Sequence, residues 1–166
     1  MPIADALLAE FDREMTTTRR VLERVPEERF DWKPHARSFS IGALAAHVAS
    51  LPTWAVETLT RSEIDLDPGR PPPAAPPSRR ELLAAFDTNA AAARTALAGR
   101  SDAELTGMWS LTRGGRTLFS MPKAVVLRSF VFNHLIHHRG QLTVYLRLLD
   151  VPVPSVYGPS ADEPAL

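Results

Sequence analysis

Residues 120–150 read SMPKAVVLRSFVFNHLIHHRGQLTVYLRLLD, and the spacing of their apolar positions decides the fold class. With His134 set at zero and successive residues about 100° apart, Leu127 falls near 20°, Val131 near 60°, His138 near 40°, Leu142 near 80° and Tyr145 near 20°. One helical stripe therefore carries a row of apolar side chains and two imidazoles together. Ser120 suits the N-cap of this helix, with Pro122 tolerated in its first turn. The pattern predicts a helix to about Asp150, where Pro152 and Pro154 stop it.

The same period recurs upstream. Ala4, Leu8, Phe11, Met15, Thr18, Leu22 and Val25 alternate in steps of four and three, which predicts a first helix from about Pro2 to Val25, closed by Pro26. Ser40 offers a cap to a second helix whose apolar face is Ile41, Leu44, Val48, Leu51, Ala55 and Leu59. Pro52 should kink that helix or end it early, and His47 borders its buried face. Ser78-Arg79-Arg80-Glu81 fits a capping box at the head of a third helix running to about Ala98, with Gly99 as its left-handed stop.

The connections differ in kind. Pro26 to Phe39 has no lasting period and reads as extended chain. Asp65 to Pro77, with Pro71-Pro72-Pro73 and Pro76-Pro77, reads as a stiff polyproline-like crossover. Ser101-Asp102-Ala103-Glu104 can cap one short turn, and Leu111 to Phe119, with Gly114-Gly115 inside it, reads as a loop or small hairpin. Residues 151–166 form a proline-rich tail that lies against the helices or frays. Four long helices, none apolar all round, must bury their stripes on one another, so the expected fold is an all-α four-helix bundle forming a single domain over residues 1–166. The long crossover lets the second and third helices run parallel, giving the order up, down, down, up.

Composition narrows the function. The 166 residues, 45% hydrophobic and 23% charged, suit a packed domain. Nineteen Lys plus Arg balance nineteen Asp plus Glu, so no net field gathers a polyanion and nucleic acid is not the expected partner. With no cysteine, disulfides, thiolate ligands and a cysteine nucleophile are excluded together. Neither a targeting segment nor a membrane-length apolar run is present in the sequence, so a soluble, cytoplasmic protein without membrane contact is expected.

Histidines then carry the chemistry. One helical turn separates His134 from His138, the i, i+4 spacing at which two imidazoles converge on one ion. A core histidine bonded to a neighbour is the plain alternative for either alone. Two in one stripe would each need polar partners, at about 1–3 kcal/mol for every buried group left unsatisfied, and one cation serves both. The third ligand must come from another helix, and His47 is the histidine on one. His35 falls in a connection. His137 lies about 100° round the helix from His138 and reads either as a rim residue that orients a ligand or as a plain surface histidine. Leu135 stands where a helical metalloprotease places its glutamate base, which disfavours that chemistry. Three neutral imidazoles leave a divalent cation its full charge and an open position.

Two stretches carry a resemblance to a known family: Leu44-Ala45-Ala46-His47-Val48-Ala49, and Asn133-His134-Leu135-Ile136-His137-His138-Arg139-Gly140-Gln141-Leu142. With the continuation from Tyr145 to Ser160, the chain resembles the DinB/YfiT-like bundle proteins, which are distinct from the DNA polymerase sharing that name. The resemblance implies a four-helix bundle of up-down-down-up order, a nickel or zinc ion on His47, His134 and His138, and a homodimer. Some relatives are transferases or isomerases that use a low-molecular-weight thiol. The expected function is thus a metal-dependent enzyme activating a small thiol or water for transfer or hydrolysis. A non-catalytic metal-binding stress-response module is the alternative, and an interaction protein using its proline-rich crossover a third. Asn133, Arg139, Gln141 and Tyr145 are candidates to orient ligands or line the pocket, each with an ordinary packing or surface explanation beside it.

Overall fold

α1 (Ile3–Glu23) opens the chain, and in the computed structural model, which describes residues 1–66, 69 and 74–164, its predicted stripe faces inward. Phe11, Met15, Thr18 and Leu22 are buried, with Val25 just beyond the helix. α2 (Ile41–Ser50) is capped as its sequence requires, the Ser40 hydroxyl accepting from the Ala43 N–H at 3.2 Å. Pro52 then breaks the rod, and α3 (Thr53–Thr60) resumes after it. All six residues of the predicted second-helix face, from Ile41 to Leu59, are buried across both pieces.

α4 (Arg79–Leu97) starts with the Ser78 hydroxyl accepting from the Glu81 N–H and ends before Gly99, whose φ of 73° is the left-handed stop. The complete reciprocal box forms at Ser101 and Glu104, heading the short α5 (Asp102–Thr106). The last rod begins with α6 (Lys123–Val126), passes through a π-helical segment (Leu127–Asn133) and continues as α7 (His134–Leu148). α4 packs on α1, α2 and α3, while α7 packs on α1 and α2, so the helices share one apolar core.

Three features correct the sequence reading. First, the fold is not purely helical: β1 (Glu63–Asp65), β2 (Met108–Arg113) and β3 (Arg116–Pro122) form a mixed sheet in the order β1-β2-β3. β2 and β3 are the antiparallel hairpin, turned by Gly114 and Gly115 at φ 56° and 75°, while β1 joins β2 in parallel with Ile64 opposite Leu111. β1 escapes the sequence because three residues are too few to show an alternation. Second, Ser120 caps no helix. It sits in β3 opposite Ser110, its hydroxyl accepting from that of Ser110 at 3.1 Å, and the helix starts only after Pro122. Third, the π segment makes the 100° step invalid before His134, although Leu127 and Val131 are still buried.

The polyproline expectation for Pro71-Pro72-Pro73 lies outside the described residues. The tail, by contrast, lies against the helices: Val151, Val153 and Val156 pack on the core, and Glu163 pairs with Arg20 of α1 and with Arg24 just past its end. Trp109, Leu111 and Val126 build a second apolar cluster under the sheet, with Trp54 and Phe130 against it.

Candidate metal centre

Because α2 is capped at Ser40, its phase is fixed, and His47 emerges at the edge of the face that packs on α7. Across that seam stand His134, at the first position of α7, and His138, one turn later. The three residues are half-buried, and each offers a ring nitrogen such that all three atoms lie within 4.8 Å of one another. His47 Nε2 and His134 Nε2 are 3.2 Å apart. Two nitrogens bound to one ion at about 2.0–2.1 Å, with an angle near 100° between the bonds, stand about 3.2 Å from each other. The ring centroids are separated by 5.1 Å (His47 to His134), 4.7 Å (His47 to His138) and 4.7 Å (His134 to His138).

Protonation favours ligation. Burial pushes the His134 pKa below its ordinary value of 6.5, and the neighbouring charges of His138 and His137 add to the effect against a hydrogen bond to the Phe130 backbone. Burial also lowers His138, with His137 contributing and Gln141 opposing. Both shifts favour the neutral ring, which has a lone pair to give. His138 Nδ1–H donates to Gln141 Oε1 at 2.7 Å, which fixes the tautomer and leaves Nε2 for an ion.

The surroundings sort the remaining candidates. His137 is exposed, with its ring 4.9 Å from that of His138, at the solvent rim of the cluster. His35 is exposed in its connection, where Nδ1 accepts from the Arg37 N–H. Leu135 is fully buried in the core, and its aliphatic side chain has no proton to exchange with the cluster. Tyr145 packs edge-on against Trp32 at 5.7 Å, and Asn133 is exposed. The aromatic ring of Phe39, 6.3 Å from that of His47, is a neighbour that the sequence reading did not single out. Its place directly before the Ser40 cap was the available signal, since an apolar residue there folds back over the first helical turns.

Of the two readings open for Arg139, the structure takes packing. The side chain is buried at 1% exposure on the α1 side of α7, where Nη1 meets Glu14 Oε2 at 2.7 Å and donates to Thr18 Oγ1 at 3.1 Å. Its guanidinium lies 5.1 Å from the Tyr157 ring centre, and the Tyr157 hydroxyl donates to Glu14 at 2.9 Å. Arg139 thus ties α7 to α1 and the tail instead of lining the histidine cluster.

A profile described as the DinB family matches residues 1–165. The chain belongs to the DinB family. Among solved structures, a DinB-like protein from Bacillus cereus ATCC 10987 superposes with a TM-score of 0.72 at 22% identity, covering 92% of this chain and 97% of that one. A DinB-like protein from Bacillus subtilis, YjoA, gives 0.69 at 16% identity over 91% of this chain and 97% of that one. The mixed helix-and-sheet architecture is therefore a DinB-like fold. A curated relative, the uncharacterized protein YrdA of Bacillus subtilis strain 168, is 44% identical over 43 residues. That match spans 26% of this chain and 25% of YrdA. Within the DinB frame, the histidine triad is the cluster among the described residues whose donor set suits a metal ion.

Proposed function

We propose that this DinB family member is a metal-dependent enzyme in which His47, His134 and His138 hold one divalent cation, nickel or zinc, for thiol transfer or for hydrolysis. The observation that supports it is the convergence of three ring nitrogens from α2 and α7, two of them at the separation a shared ion imposes. The donor set fits. An all-imidazole site adds no negative charge, suits borderline metals such as nickel and zinc, and leaves coordination positions open. A cation so bound lowers the pKa of a water or small thiol beside it, which supplies a nucleophile at neutral pH.

The chain's own residues would do the rest. Gln141 holds the His138 ring, and the polypeptide fixes His47 by the Ser40 cap. Exposed Phe39 beside His47 offers an apolar surface for the body of a small substrate, and exposed His137 stands where a proton can pass to solvent. A single unit over the chain, a bundle order of up, down, down, up, a homodimer and a low-molecular-weight thiol as co-substrate complete the proposal.

Metal analysis of purified protein tests it directly. One equivalent of nickel or zinc, lost on chelation and absent from His134→Ala, is the expected result. No stoichiometric divalent metal, together with a His134→Ala variant unchanged in metal uptake and stability, would sink the reading. A second reading, a non-catalytic metal-binding module, is favoured by one observation: the cluster contains no carboxylate, and Leu135 occupies the base position. Screening small thiols against electrophilic substrates separates the two, because turnover that vanishes on metal removal excludes a purely structural ion.

A further inference from the structure

A cleft that shares no residue with the histidine cluster opens where the ends of α3, α4 and α5 meet the sheet. Its volume is about 310 Å³, and Arg61, Arg100, Glu104 and Lys123 line it together with Leu59 and Met108. The charges do not cancel. Arg61 pairs with Glu57 at 2.8 Å, and Arg100 pairs with Glu104 at 2.8 Å. Both oxygens of Glu104 are committed, one to Arg100 and the other to the N–H and hydroxyl of Ser101, which hold this carboxyl down to about 2. Lys123 is left over. Half-buried, it has no carboxylate within ion-pair distance among the described residues.

Its hydrogen bonding is equally incomplete. Lys123 donates one of three N–H bonds to the Leu59 carbonyl in the last turn of α3, at 3.3 Å. Arg100 spends Nε on the Ala96 carbonyl and Nη1 on Glu104, with no described partner for Nη2. Capping two helix ends therefore accounts for some of these donors and leaves others pointing to no acceptor. Burial and the Arg100 charge depress the Lys123 pKa, and the Glu104 charge only partly opposes them.

We propose that this cleft binds a small oxyanion, a carboxylate or phosphate group on a short aliphatic body, with Lys123 as its counter-ion, Arg100 as second donor, and Leu59 and Met108 as the apolar wall. One anion completes the charge balance and accepts from the spare donors at once.

The sequence makes the test unusually clean, since the chain has two lysines, Lys123 and the exposed Lys33. Full-length protein carrying ¹³C at the lysine ε-carbon, which leaves each ammonium intact, is titrated with inorganic phosphate and separately with butyrate, chloride holding the ionic strength constant. The Lys123 signal should shift saturably, with a dissociation constant on the order of 1 mM, while Lys33 stays put. Saturation by phosphate alone names a phosphate ligand, and by butyrate alone a carboxylate. In parallel, the same anion should raise the melting temperature of the unmodified protein and of Lys33→Gln, but not of Lys123→Gln, which keeps an N–H for the Leu59 carbonyl. Shifts that fail to saturate, that Lys33 shares, or that neither anion produces would overturn the proposal, as would a Lys123→Gln variant that retains the melting increase.

Discussion

Gln141 shows how much rests on one side chain outside the ligand set. Its carbonyl accepts from His138 Nδ1, so replacing it with Leu frees the ring to rotate and to take the wrong tautomer. Loss of such an outer partner costs about 10–100-fold in metal affinity. Gln141→Leu should therefore weaken nickel or zinc binding by that factor in calorimetric titration with little change in the melting of the metal-free protein. The depressed His134 and His138 pKa values give a second residue-scale prediction. Below 6.5 the unfolded chain takes up protons that the folded rings refuse, so the unfolded state binds more protons and the stability of metal-free protein falls as pH drops. Above 6.5 both states are neutral at these rings and the contribution is flat. Urea melts of metal-free protein between pH 7.5 and pH 5 should show this slope, and it should shrink in His134→Phe. These residues were legible in the sequence because their relation is local. His134, His138 and Gln141 lie within two turns of one helix, where a fixed angular step converts spacing into direction. Arg139 sits in the same run, yet the sequence left open whether it packs or lines the pocket, because its partner Glu14 is 125 residues away and no local period encodes that meeting.

Elements set the site through their phases, and α2 is the sensitive one. Gly42, in its first turn, has no room for a side chain. A Cβ there would lie 2.8 Å from Phe30 Cβ, 2.9 Å from Ala75 Cβ and 2.9 Å from the Phe30 carbonyl oxygen. Backbone on one side cannot yield cheaply, so Gly42→Ala should destabilise the protein by about 1–3 kcal/mol. Since the same shift moves His47, metal affinity should fall with it, unlike Gln141→Leu, where affinity falls alone. Chemical denaturation and calorimetry on the two variants check the contrast. α7 is held from its other side by the pair of Arg139 and Glu14, at 1% and 5% side-chain exposure. Removing one partner strands a buried charge, which costs about 3–5 kcal/mol, so Glu14→Gln should melt well below the parent. Element-scale legibility followed length. α1 carries enough turns for the period to show, Ser78 and Gly99 marked the ends of α4, and caps and proline marked both ends of α2. The three-residue β1 offers no period, and the π segment obeys a step that the helical template does not contain.

At the scale of the whole molecule, the question is whether the ion builds the fold or only uses it. The main core runs through α1, α2, α3, α4 and α7 with Phe11, Leu44, Phe86, Phe132 and Leu142 all buried, and the half-buried histidines stand at its margin. An apolar core of this extent does not depend on three imidazoles for its driving force. Metal-free protein should accordingly remain folded and melt cooperatively, in contrast to small domains that unfold when their zinc is chelated. An ion held by the triad would nevertheless bridge α2 and α7, which are far apart in sequence, and would bind the folded state alone. Free metal at about 1,000 times its dissociation constant adds about 4 kcal/mol to stability. For a chain of this length each kcal/mol moves the melting temperature by about 2–4 °C, so chelation should lower it by roughly 10 °C while helical circular dichroism at 20 °C is retained. Collapse of that signal on chelation would instead assign the ion a structural task. Retention of the fold with loss of thiol-dependent turnover would place the cation at the reacting centre.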